Sequence, residues 1–295
     1  MDLLAQMATF VRVVEGQSLS SAARAQRLSL PAISRQLRAL EADLGASLIV
    51  RSTRKLHVTD AGQQWYAHCV RILRDIEDAR FAVSSSKLVR GRLVVSASLT
   101  FGMTVIVPRL KKLSAAHPQL AIALRLEDHL VDLVGEGVDV AIRAGSPPPD
   151  STAFIAQPVL AMRRLLVASR SWLRKNGTPR EPRDVPAEGC LMQVTLAGSP
   201  IRWLLQRESG DSVTIDVRSR LSTNAPSALR ELALDGAGIA YVPDWLVAED
   251  LANGRLRRVL PGWSSPSINA WAVYRAELRG APRLRVFLDV LNAAR

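Results

Sequence analysis

From Ser21 to Gly45 the chain has the sequence S-A-A-R-A-Q-R-L-S-L-P-A-I-S-R-Q-L-R-A-L-E-A-D-L-G, which has the clearest structural pattern in its N-terminal part. After a break at Ser29 and Pro31, apolar residues recur every three or four positions, which predicts a helix with one buried face. The apolar residues are Ile33, Leu37, Leu40 and Leu44, and the residues expected on the solvent side are Ser34, Arg35 and Arg38. Serine and proline are frequent at helix starts. A short helix with two alanines, a turn and a second helix with a basic outer face predict a helix-turn-helix, whose second helix enters the major groove of DNA.

The residues that follow predict a hairpin with a basic tip. The segment S-L-I-V-R-S-T-R-K-L-H-V-T-D-A-G supplies a short β-branched strand, a turn and a return strand that ends at Thr59. The cations of the tip are Arg51, Arg54 and Lys55. From Arg24 to Lys55 there are seven Lys or Arg residues against two acids, and the excess of five positive charges can neutralise phosphates. Two short helices with outer arginines also occur in ordinary helical domains, so the pattern alone leaves both interpretations open.

Three motifs in about the first ninety residues give the chain a specific resemblance. They are F-x-x-V-x-E-x-x-S-L-S-x-A-A from Phe10, L-S-L-P-A-I-S-R-Q-L-x-x-L-E-x-x-L-G from Leu28, and R-x-x-R-K-L-x-V-T-D-A-G from Arg51. In order and spacing they resemble the DNA-binding part of LysR-type transcriptional regulators. Leu30 stands where this family usually has a glutamine before the proline, and this departure removes a hydrogen-bonding contact to DNA. Ile49 replaces the usual phenylalanine before the hairpin, which is a change in the core.

The helix pattern and the resemblance together predict DNA contacts at the helix starts, on the outer face of the second helix and at the hairpin tip. The predicted residues are Ser18, Ser29, Leu30, Pro31, Ser34, Arg35, Gln36, Arg38, Arg51, Arg54 and Lys55. The resemblance implies that the partner is double-stranded DNA with a near-palindromic operator. It also implies RNA polymerase as a further partner. The two widely spaced cysteines, Cys69 and Cys190, fit a reducing cytoplasm as the location.

The length and composition agree with a regulator built from more than one domain. At 295 residues the chain exceeds what one core usually organises, and its apolar fraction of 48% is sufficient for ordinary cores. The net charge of +12 favours an anionic partner, which could be nucleic acid, a membrane surface or an acidic ligand. No basic and then apolar leader opens the chain, and no apolar run reaches the roughly 18–20 residues of a membrane span. No membrane association is expected.

The segment from Thr59 to about Ser86 is predicted to form one long helix. Thr59 can cap its start, and Asp60 lies in the first turn, where the helix dipole favours an acid. Its apolar stripe consists of Trp65, Cys69, Ile72, Leu73, Ile76, Ala79 and Val83. The stripe packs either on its own domain or against the same helix of a second subunit. The resemblance implies the second arrangement, with Trp65, Cys69, Ile72, Leu73 and Ile76 as the dimerisation residues of a homodimer or homotetramer. The serines after this stripe would form a hinge.

From Gly91 the pattern changes to alternating strands and helices, which predicts parallel sheets with right-handed crossovers. Strands are expected at 92–97, 120–126, 138–143, 165–169, 190–194, 238–242 and 269–274, and helices at 102–116, 129–136, 226–235 and 282–293. Two α/β lobes with repeated crossings resemble the periplasmic-binding-protein-like effector domain of the same family. The stretches D-V-A-I-R-A-G from Asp139 and G-A-G-I-A-Y-V-P from Gly236 are its clearest markers.

The predicted fold class is therefore α/β multidomain. An N-terminal all-α winged helix-turn-helix domain is expected at residues 1–59, and a long linker helix for dimerisation, with its hinge, at 60–90. A C-terminal, two-lobed periplasmic-binding-protein-like (type 2) α/β domain is expected at 91–295 and would bind the effector. Its lobe I is expected at about 91–162 and 267–295, and its lobe II at about 163–266.

Ligands of open α/β sheets bind at the carboxyl ends of strands, near helix N-termini that favour anions. This rule predicts a cleft for a small-molecule effector where three groups of residues converge from the two lobes. The predicted groups are Ser98, Leu99 and Thr100, then Gln193 and Thr195, and then Thr223 and Asn224. The predicted apolar floor consists of Phe101 and Pro243. Each hydroxyl or amide residue can equally be a helix cap. Arg143 is expected either to bind the carboxylate of an anionic effector or to form an ion pair at the surface or between the lobes.

The sequence gives no support to an enzyme. It has no G-x-S-x-G, P-loop or G-x-G-x-x-G motif, and its histidines are scattered without a triad arrangement. Cys69 and Cys190 lack a CxxC or Cys/His cluster, so neither a metal site nor a cofactor is expected. Two alternatives to the ligand-controlled regulator remain. One is a redox-sensing regulator that acts through Cys190, and the other is a solute-binding protein without a role on DNA, which would leave the first ninety residues unexplained.

Overall fold

The computed structural model of the protein describes residues 2–51, 56–82, 88–149 and 151–292. The chain divides into two compact units. Met1–Gly91 and Asp132–Gly137 form the first unit, and Arg92–Val131 and Val138–Arg295 form the second. Among the described residues, no helix combines the length and the apolar composition that crossing a membrane requires.

Three helices begin the first unit, namely α1 (Leu3–Gly16), α2 (Leu19–Gln26) and α3 (Leu30–Leu44). The hydroxyl of Ser18 accepts a hydrogen bond from the backbone N–H of Ser21 at 3.3 Å, and Ser29 accepts one from Ala32 at 3.3 Å. These bonds satisfy N–H groups that a helix start leaves free, so they fix where α2 and α3 begin. The predicted helix-turn-helix is therefore present.

The apolar core of this unit joins all three helices. Its buried members include Met7, Phe10, Ala22, Ala23, Ile33, Leu37, Leu40 and Leu48. The alanine pair of α2 is covered by its neighbours, and small side chains let the helices approach closely. Leu44 is only partly buried at the end of the predicted inner face of α3.

A hairpin of β1 (Ile49–Arg51) and β2 (Leu56–Val58) follows α3 and leads into α4 (Asp60–Ala82). The Thr59 hydroxyl accepts a hydrogen bond from the N–H of Gly62 at 2.9 Å and donates one to the carbonyl of Ser47 at 2.7 Å. A Cβ atom at Gly62 would collide with the carbonyl oxygen of Leu48, so α4 can start against the hairpin only with glycine at this position. The predicted cations of the tip at 54 and 55 and the predicted helix end and hinge at 83–87 lie outside the described residues.

The rest of the chain alternates strands and helices. Its strands are β3 (Gly91–Ala97), β4 (Leu120–Leu126), β5 (Val140–Gly145), β6 (Phe154–Met162), β7 (Arg164–Ser169), β8 (Cys190–Gln193), β9 (Trp203–Gln206), β10 (Ser212–Ile215), β11 (Ser222–Thr223), β12 (Ile239–Pro243), β13 (Leu256–Val259) and β14 (Ile268–Arg275). Its helices are α5 (Leu99–Phe101), α6 (Val107–Ala116), α7 (Arg170–Asn176), α8 (Pro226–Leu234), α9 (Asp244–Ala252) and α10 (Pro282–Asn292). A π-helical turn at Gly102–Ile106 joins α5 to α6.

Lobe I contains a five-stranded sheet in the order β4-β3-β5-β14-β6. Strands β3 and β5 run parallel, whereas β14 runs antiparallel to both β5 and β6. The buried carboxylate of Asp139 accepts a hydrogen bond from the N–H of Val94 at 2.7 Å and so ties the start of β5 to β3. Because β14 and α10 come from the end of the chain, lobe I is completed by residues that return to it.

Lobe II contains a five-stranded sheet in the order β11-β8-β12-β7-β13. Strands β11, β8 and β12 are parallel, and β7 runs antiparallel to β12 and β13. On one face Leu165, Val167 and Val242 pack in one apolar cluster with residues of α8 and α9. On the other face Leu166 and Tyr241 pack in a second cluster with residues of the β9–β10 hairpin.

Two crossing segments connect the lobes, one at Arg163–Arg164 and one at Ser264–Ser265. The N–H of Arg164 donates to the hydroxyl of Ser265 at 2.8 Å, and the N–H of Ser265 donates to the carbonyl of Arg164 at 2.9 Å. The N–H of Arg163 donates to the carboxylate of Asp244 at 3.2 Å, and the N–H of Asp244 returns a bond to the carbonyl of Arg163 at 2.8 Å. The first two bonds join the crossings to each other and the other two join Arg163 to the start of α9, so the two segments form a single hinge.

The structure corrects several details of the predicted secondary structure. The helix predicted at 129–136 is wrong, because this segment is a turn in which acidic side chains bond the local backbone. The N–H of Val134 donates to Asp132 at 3.0 Å, and the N–H of Asp132 donates to Glu136 at 3.0 Å. The sheets are mixed rather than parallel, and the predicted strand at 138–143 begins two residues later. Strands β6, β9, β10, β11 and β13 were not predicted.

Candidate functional site

The first turn and outer face of α3 carry five of the eleven side chains predicted to contact DNA. Arg35 and Arg38 are exposed, and the Nη2 atom of Arg38 donates to the Ser34 hydroxyl at 3.4 Å. Leu30 and Pro31 are exposed in the first turn, next to the Ser29 cap. Because the opposite face of α3 is buried in the core of its unit, these side chains are held on a rigid, capped helix.

Gln36 occupies a different place from the other predicted DNA contacts. The buried hydroxyl of Thr9 on α1 lies within hydrogen-bond distance of the side-chain amides of both Gln36 and Gln26. A hydroxyl carries one hydrogen and can donate to only one amide oxygen, so one of the two glutamines must present its NH₂ group. Gln36 therefore ties α3 to α1 and α2, and the prediction that it contacts DNA finds no support in this geometry.

An acid within the basic stretch fixes the hairpin against α3. The carboxylate of Glu41 accepts hydrogen bonds from the N–H groups of Leu48 and Ile49 at 2.8 and 3.1 Å, where β1 begins. Sequence reasoning counted Glu41 only as a negative charge. The available signal for its role in holding β1 is an acid followed by a short strand. These two bonds hold the start of β1 against α3. The side chain of Arg51 and all of Arg54 and Lys55 lie outside the described residues.

The stripe of α4 divides into two parts. Cys69 is fully buried in the core of its own unit, and Trp65, Ile72 and Leu73 are partly buried against that core. The prediction that Cys69 belongs to a seam between subunits is therefore wrong, because its side chain is already covered within one chain. Ile76 is half-buried and lies outside this core cluster, so it remains the best candidate for a contact with a second subunit.

At the predicted cleft, a hydrogen bond between hydroxyls and an aromatic contact link the two lobes of the second unit. The hydroxyl of Thr100 on α5 donates to the hydroxyl of Ser227 in the first turn of α8 at 3.2 Å. The rings of Phe101 and Trp245 meet edge to face with centroids 5.5 Å apart, and Trp245 lies in the first turn of α9. Sequence reasoning named Thr100 and Phe101 but missed Ser227 and Trp245, because contacts between distant segments leave no local pattern.

Opposite the carboxyl end of β12, the lobe II sheet carries a cation that sequence reasoning missed. The guanidinium of Arg164 donates to the amide oxygen of Gln193, and its Cζ atom lies 5.8 Å from the centroid of the Tyr241 ring. Burial lowers the pKa of Arg164, and it raises the pKa of Tyr241 to about 12. Among the described residues, no carboxylate forms an ion pair with Arg164. A half-buried cation with only neutral partners is a suitable contact for an anionic ligand.

Four further predicted residues lie at or just after the carboxyl ends of strands. Ser98 holds the cap position of α5 without a side-chain cap bond, and the N–H of Leu99 donates to Asp128 at 3.1 Å. The hydroxyl of Thr223 accepts a hydrogen bond from the N–H of Ala225 at 3.1 Å. This bond resembles the helix cap that the sequence analysis gave as the alternative to ligand binding. Pro243 is buried at the end of β12, opposite Arg164 in the register.

Three other predicted ligand contacts have different surroundings. The guanidinium of Arg143 donates to the carbonyls of Ile142 and His129 at 2.9 and 3.1 Å and to the Ser96 hydroxyl at 2.9 Å. It therefore holds lobe I together, and Arg164 replaces it as the candidate contact for an anion. Thr195 and Asn224 are exposed, and the hydroxyl of Thr195 accepts the N–H of Ser199 within its own loop at 3.1 Å.

A separate basin of about 600 Å³ lies beside the hinge rather than at the predicted cleft. Its charged lining consists of Arg163, Arg207, Arg258, Glu208 and Asp244. The guanidinium of Arg207 is paired with Glu181 at 3.1 Å, and the other two arginines of the lining equal its two carboxylates in number. The charges of this basin therefore balance, and they give no reason to assign it a charged ligand.

Both cysteines are free and buried, and they belong to different units. Burial raises the pKa of the Cys69 and Cys190 thiols to about 12. The Cys190 thiol also donates a hydrogen bond to the carbonyl of Pro186 at 3.3 Å. Since the thiolate is the reactive form, these surroundings do not favour a redox switch at Cys190.

Comparison with known families gives a match to both parts of the chain. The model of the LysR substrate binding domain matches residues 86–295, and the model of the bacterial regulatory helix-turn-helix proteins of the lysR family matches residues 4–63. The first of these matches alone covers more than half of the chain.

Individual relatives and solved structures are similar over almost the whole length. The probable HTH-type transcriptional regulator LtrA of Klebsiella pneumoniae is 31% identical, and the alignment covers 99% of this chain and 94% of LtrA. The HTH-type transcriptional regulator DmlR of Escherichia coli K12 is 32% identical, with coverage of 99% and 94%. The structure of CrgA, a LysR-type transcriptional regulator from Neisseria meningitidis, is 29% identical and covers 98% of both chains with a TM-score of 0.63.

Proposed function

Because the chain belongs to the LysR family of transcriptional regulators and is a DNA-binding regulator with an effector-binding domain, we propose how its own residues perform these two tasks. In this proposal α3 and the hairpin bind operator DNA, and a small anionic molecule between the lobes of the second unit changes that binding or the activation of a promoter. The observation that carries the DNA part is the capped helix α3, with Arg35 and Arg38 exposed opposite a buried face.

The DNA part divides into contacts with bases and contacts with phosphates. Arg35 lies near the start of α3, where the side chains of a recognition helix meet base edges, and an arginine there can bond the O6 and N7 atoms of guanine. Arg38 lies one turn later, and its bond to Ser34 holds its guanidinium on the outer face. The cations of the hairpin would contact phosphates. These contacts contribute affinity with little sequence preference and make binding sensitive to salt.

The assembly part rests on α4. A two-fold symmetric dimer presents two copies of α3 and therefore suits a near-palindromic operator. Ile76 lies beyond the core of its own unit, which supports a contact with the same helix of a second copy. A homodimer in this arrangement, or a homotetramer built from two of them, would work in the cytoplasm, with RNA polymerase as the further partner at activated promoters.

The effector part is supported by two contacts between the lobes and by a cation of lobe II. Thr100 and Ser227 offer two hydroxyls, Phe101 and Trp245 offer an apolar surface, and Arg164 offers a cation. A small organic acid would satisfy all three kinds of group. Such a ligand can change DNA binding only through different affinities for the two states of the protein.

Thermal unfolding of the full chain tests this part directly. A panel of small aliphatic and aromatic acids is added, each beside its uncharged amide. An acid that binds the folded state raises the Tm with concentration, and the amide should have a smaller effect because Arg164 gains nothing from it. Equal shifts from acids and amides would contradict the anionic class, and the absence of any shift across the panel would contradict the proposed ligand.

A further inference from the structure

The start of α3 presents an apolar side chain where a recognition helix meets base edges. Leu30 is the first residue of α3 and is 47% exposed, and Leu28 on the other side of the Ser29 cap is 40% exposed. Single exposed leucines are ordinary on protein surfaces, so exposure alone carries no conclusion. The position of Leu30 on the helix is what gives its exposure a meaning.

The position of Leu30 is fixed by the bonds around it. The hydroxyl of Ser29 accepts the N–H of Ala32 at 3.3 Å, and Pro31 restricts the backbone of the first turn. In a helix, residues four positions apart lie on the same side, so Leu30 precedes Ser34 along one side of α3. Leu30 is therefore held beside the polar groups that the proposed function assigns to operator contact.

The chemistry of the major groove restricts what a leucine can recognise there. Most groups on the base edges are hydrogen-bond donors or acceptors, and the apolar one is the C5 methyl group of thymine. A leucine placed against a donor or acceptor would remove water from it without replacing the lost bond, which is unfavourable. A leucine placed against the methyl group buries two apolar surfaces, which is favourable.

We infer that Leu30 contacts the methyl group of one thymine in each half-site and so contributes to sequence specificity. This inference rests on the proposed function, since it assumes that α3 enters the major groove. It assigns Leu30 a selective apolar contact in place of the hydrogen bond that a glutamine would make at the same position.

Deoxyuridine gives a direct test because it differs from thymidine only by this methyl group. Duplexes are first selected from random DNA with the full chain, and each thymine of the best duplex is then replaced singly by deoxyuridine. We expect one position in each half-site at which the replacement weakens binding about four-fold, the value for one buried methyl-sized group. For Leu30→Ala, thymine and uracil at that position should bind equally.

Leu3→Ala is the matched control. Leu3 is the first residue of α1 and is 44% exposed, close to the exposure of Leu30. This variant should keep the full penalty for uracil. If no thymine position is sensitive, or if Leu30→Ala keeps the wild-type penalty, the inference is wrong while the proposed function stands. If the full chain selects no duplex at all, the proposed function fails and the inference fails with it.

Discussion

The Thr100 hydroxyl of lobe I donates a hydrogen bond to the Ser227 hydroxyl of lobe II at 3.2 Å. Thr100 is buried on α5, and Ser227 lies in the first turn of α8. The two helix starts are therefore in direct contact between lobes that the hinge connects. A ligand that inserts between these helices must replace this bond, which makes the two hydroxyls sensitive reporters of the proposed effector site.

Removal of either hydroxyl should weaken the response to effector. We expect Thr100→Val and Ser227→Ala to raise the effector concentration for half-maximal response about 2- to 10-fold, since each loses one hydrogen bond. Operator affinity without effector should change little. Thr104→Val is the control, because Thr104 is exposed on the adjacent π-helical turn. Reporter output against effector concentration gives the measurement, and wild-type curves for both cleft variants would place the effector elsewhere.

Replacement of Arg164 tests the anionic class of the effector. Arg164→Gln should lower the affinity for an acid found in the thermal screen about 10- to 100-fold, the range for a lost charged hydrogen bond. Affinity for the matching amide should fall much less. Isothermal titration of the full chain measures both. Arg257→Gln, an exposed arginine on β13, should behave like the wild type, and an equal loss in both variants would indicate a general effect of charge.

The outer part of α4 is the proposed contact between subunits. We expect Ile76→Glu to dissociate the dimer, because it would bury a charge without a partner in the interface. Sedimentation of the full chain measures its mass, and an operator with two half-sites measures its affinity. Gln64→Glu adds the same charge at an exposed position of the same helix and should leave the mass unchanged. A dimer that persists in Ile76→Glu would show that the stripe serves only its own chain.

The buried thiols should be inert in the folded chain. The pKa values of Cys69 and Cys190 are raised to about 12, so at pH 8 the thiol form predominates and alkylation is slow. Both cysteines should react rapidly after unfolding in urea, where the thiols return to ordinary pKa values. The number of modified cysteines is measured by mass spectrometry. Rapid modification of Cys190 in the folded protein would restore the redox-sensing alternative.

The sequence predicted the parts of this fold that depend on local order. Ser29, Pro31 and the apolar spacing of α3 indicated the helix and its buried face, and Thr59 indicated the start of α4. The contact of Gln36 with α1 was not foreseen, because its partner Thr9 is 27 positions away and leaves no mark on the helix pattern. Ser227 and Arg164 were missed for the same reason, since their partners belong to other elements. The helix predicted at 129–136 is absent because the acids of the turn at 132–136 bond the local backbone. Such bonds between side chain and backbone are not visible in the spacing of apolar residues.

The most direct test of the central claim is the binding of the full chain to its selected duplex and to a scrambled one. Affinity is measured by fluorescence anisotropy at two salt concentrations. We predict that Arg35→Ala lowers the preference for the selected duplex by about 1–3 kcal/mol, the value of a bidentate guanine contact. Arg12→Ala should keep the preference, because Arg12 is exposed on α1 and paired with Glu15. An unchanged preference in Arg35→Ala would contradict the claim that α3 recognises the operator.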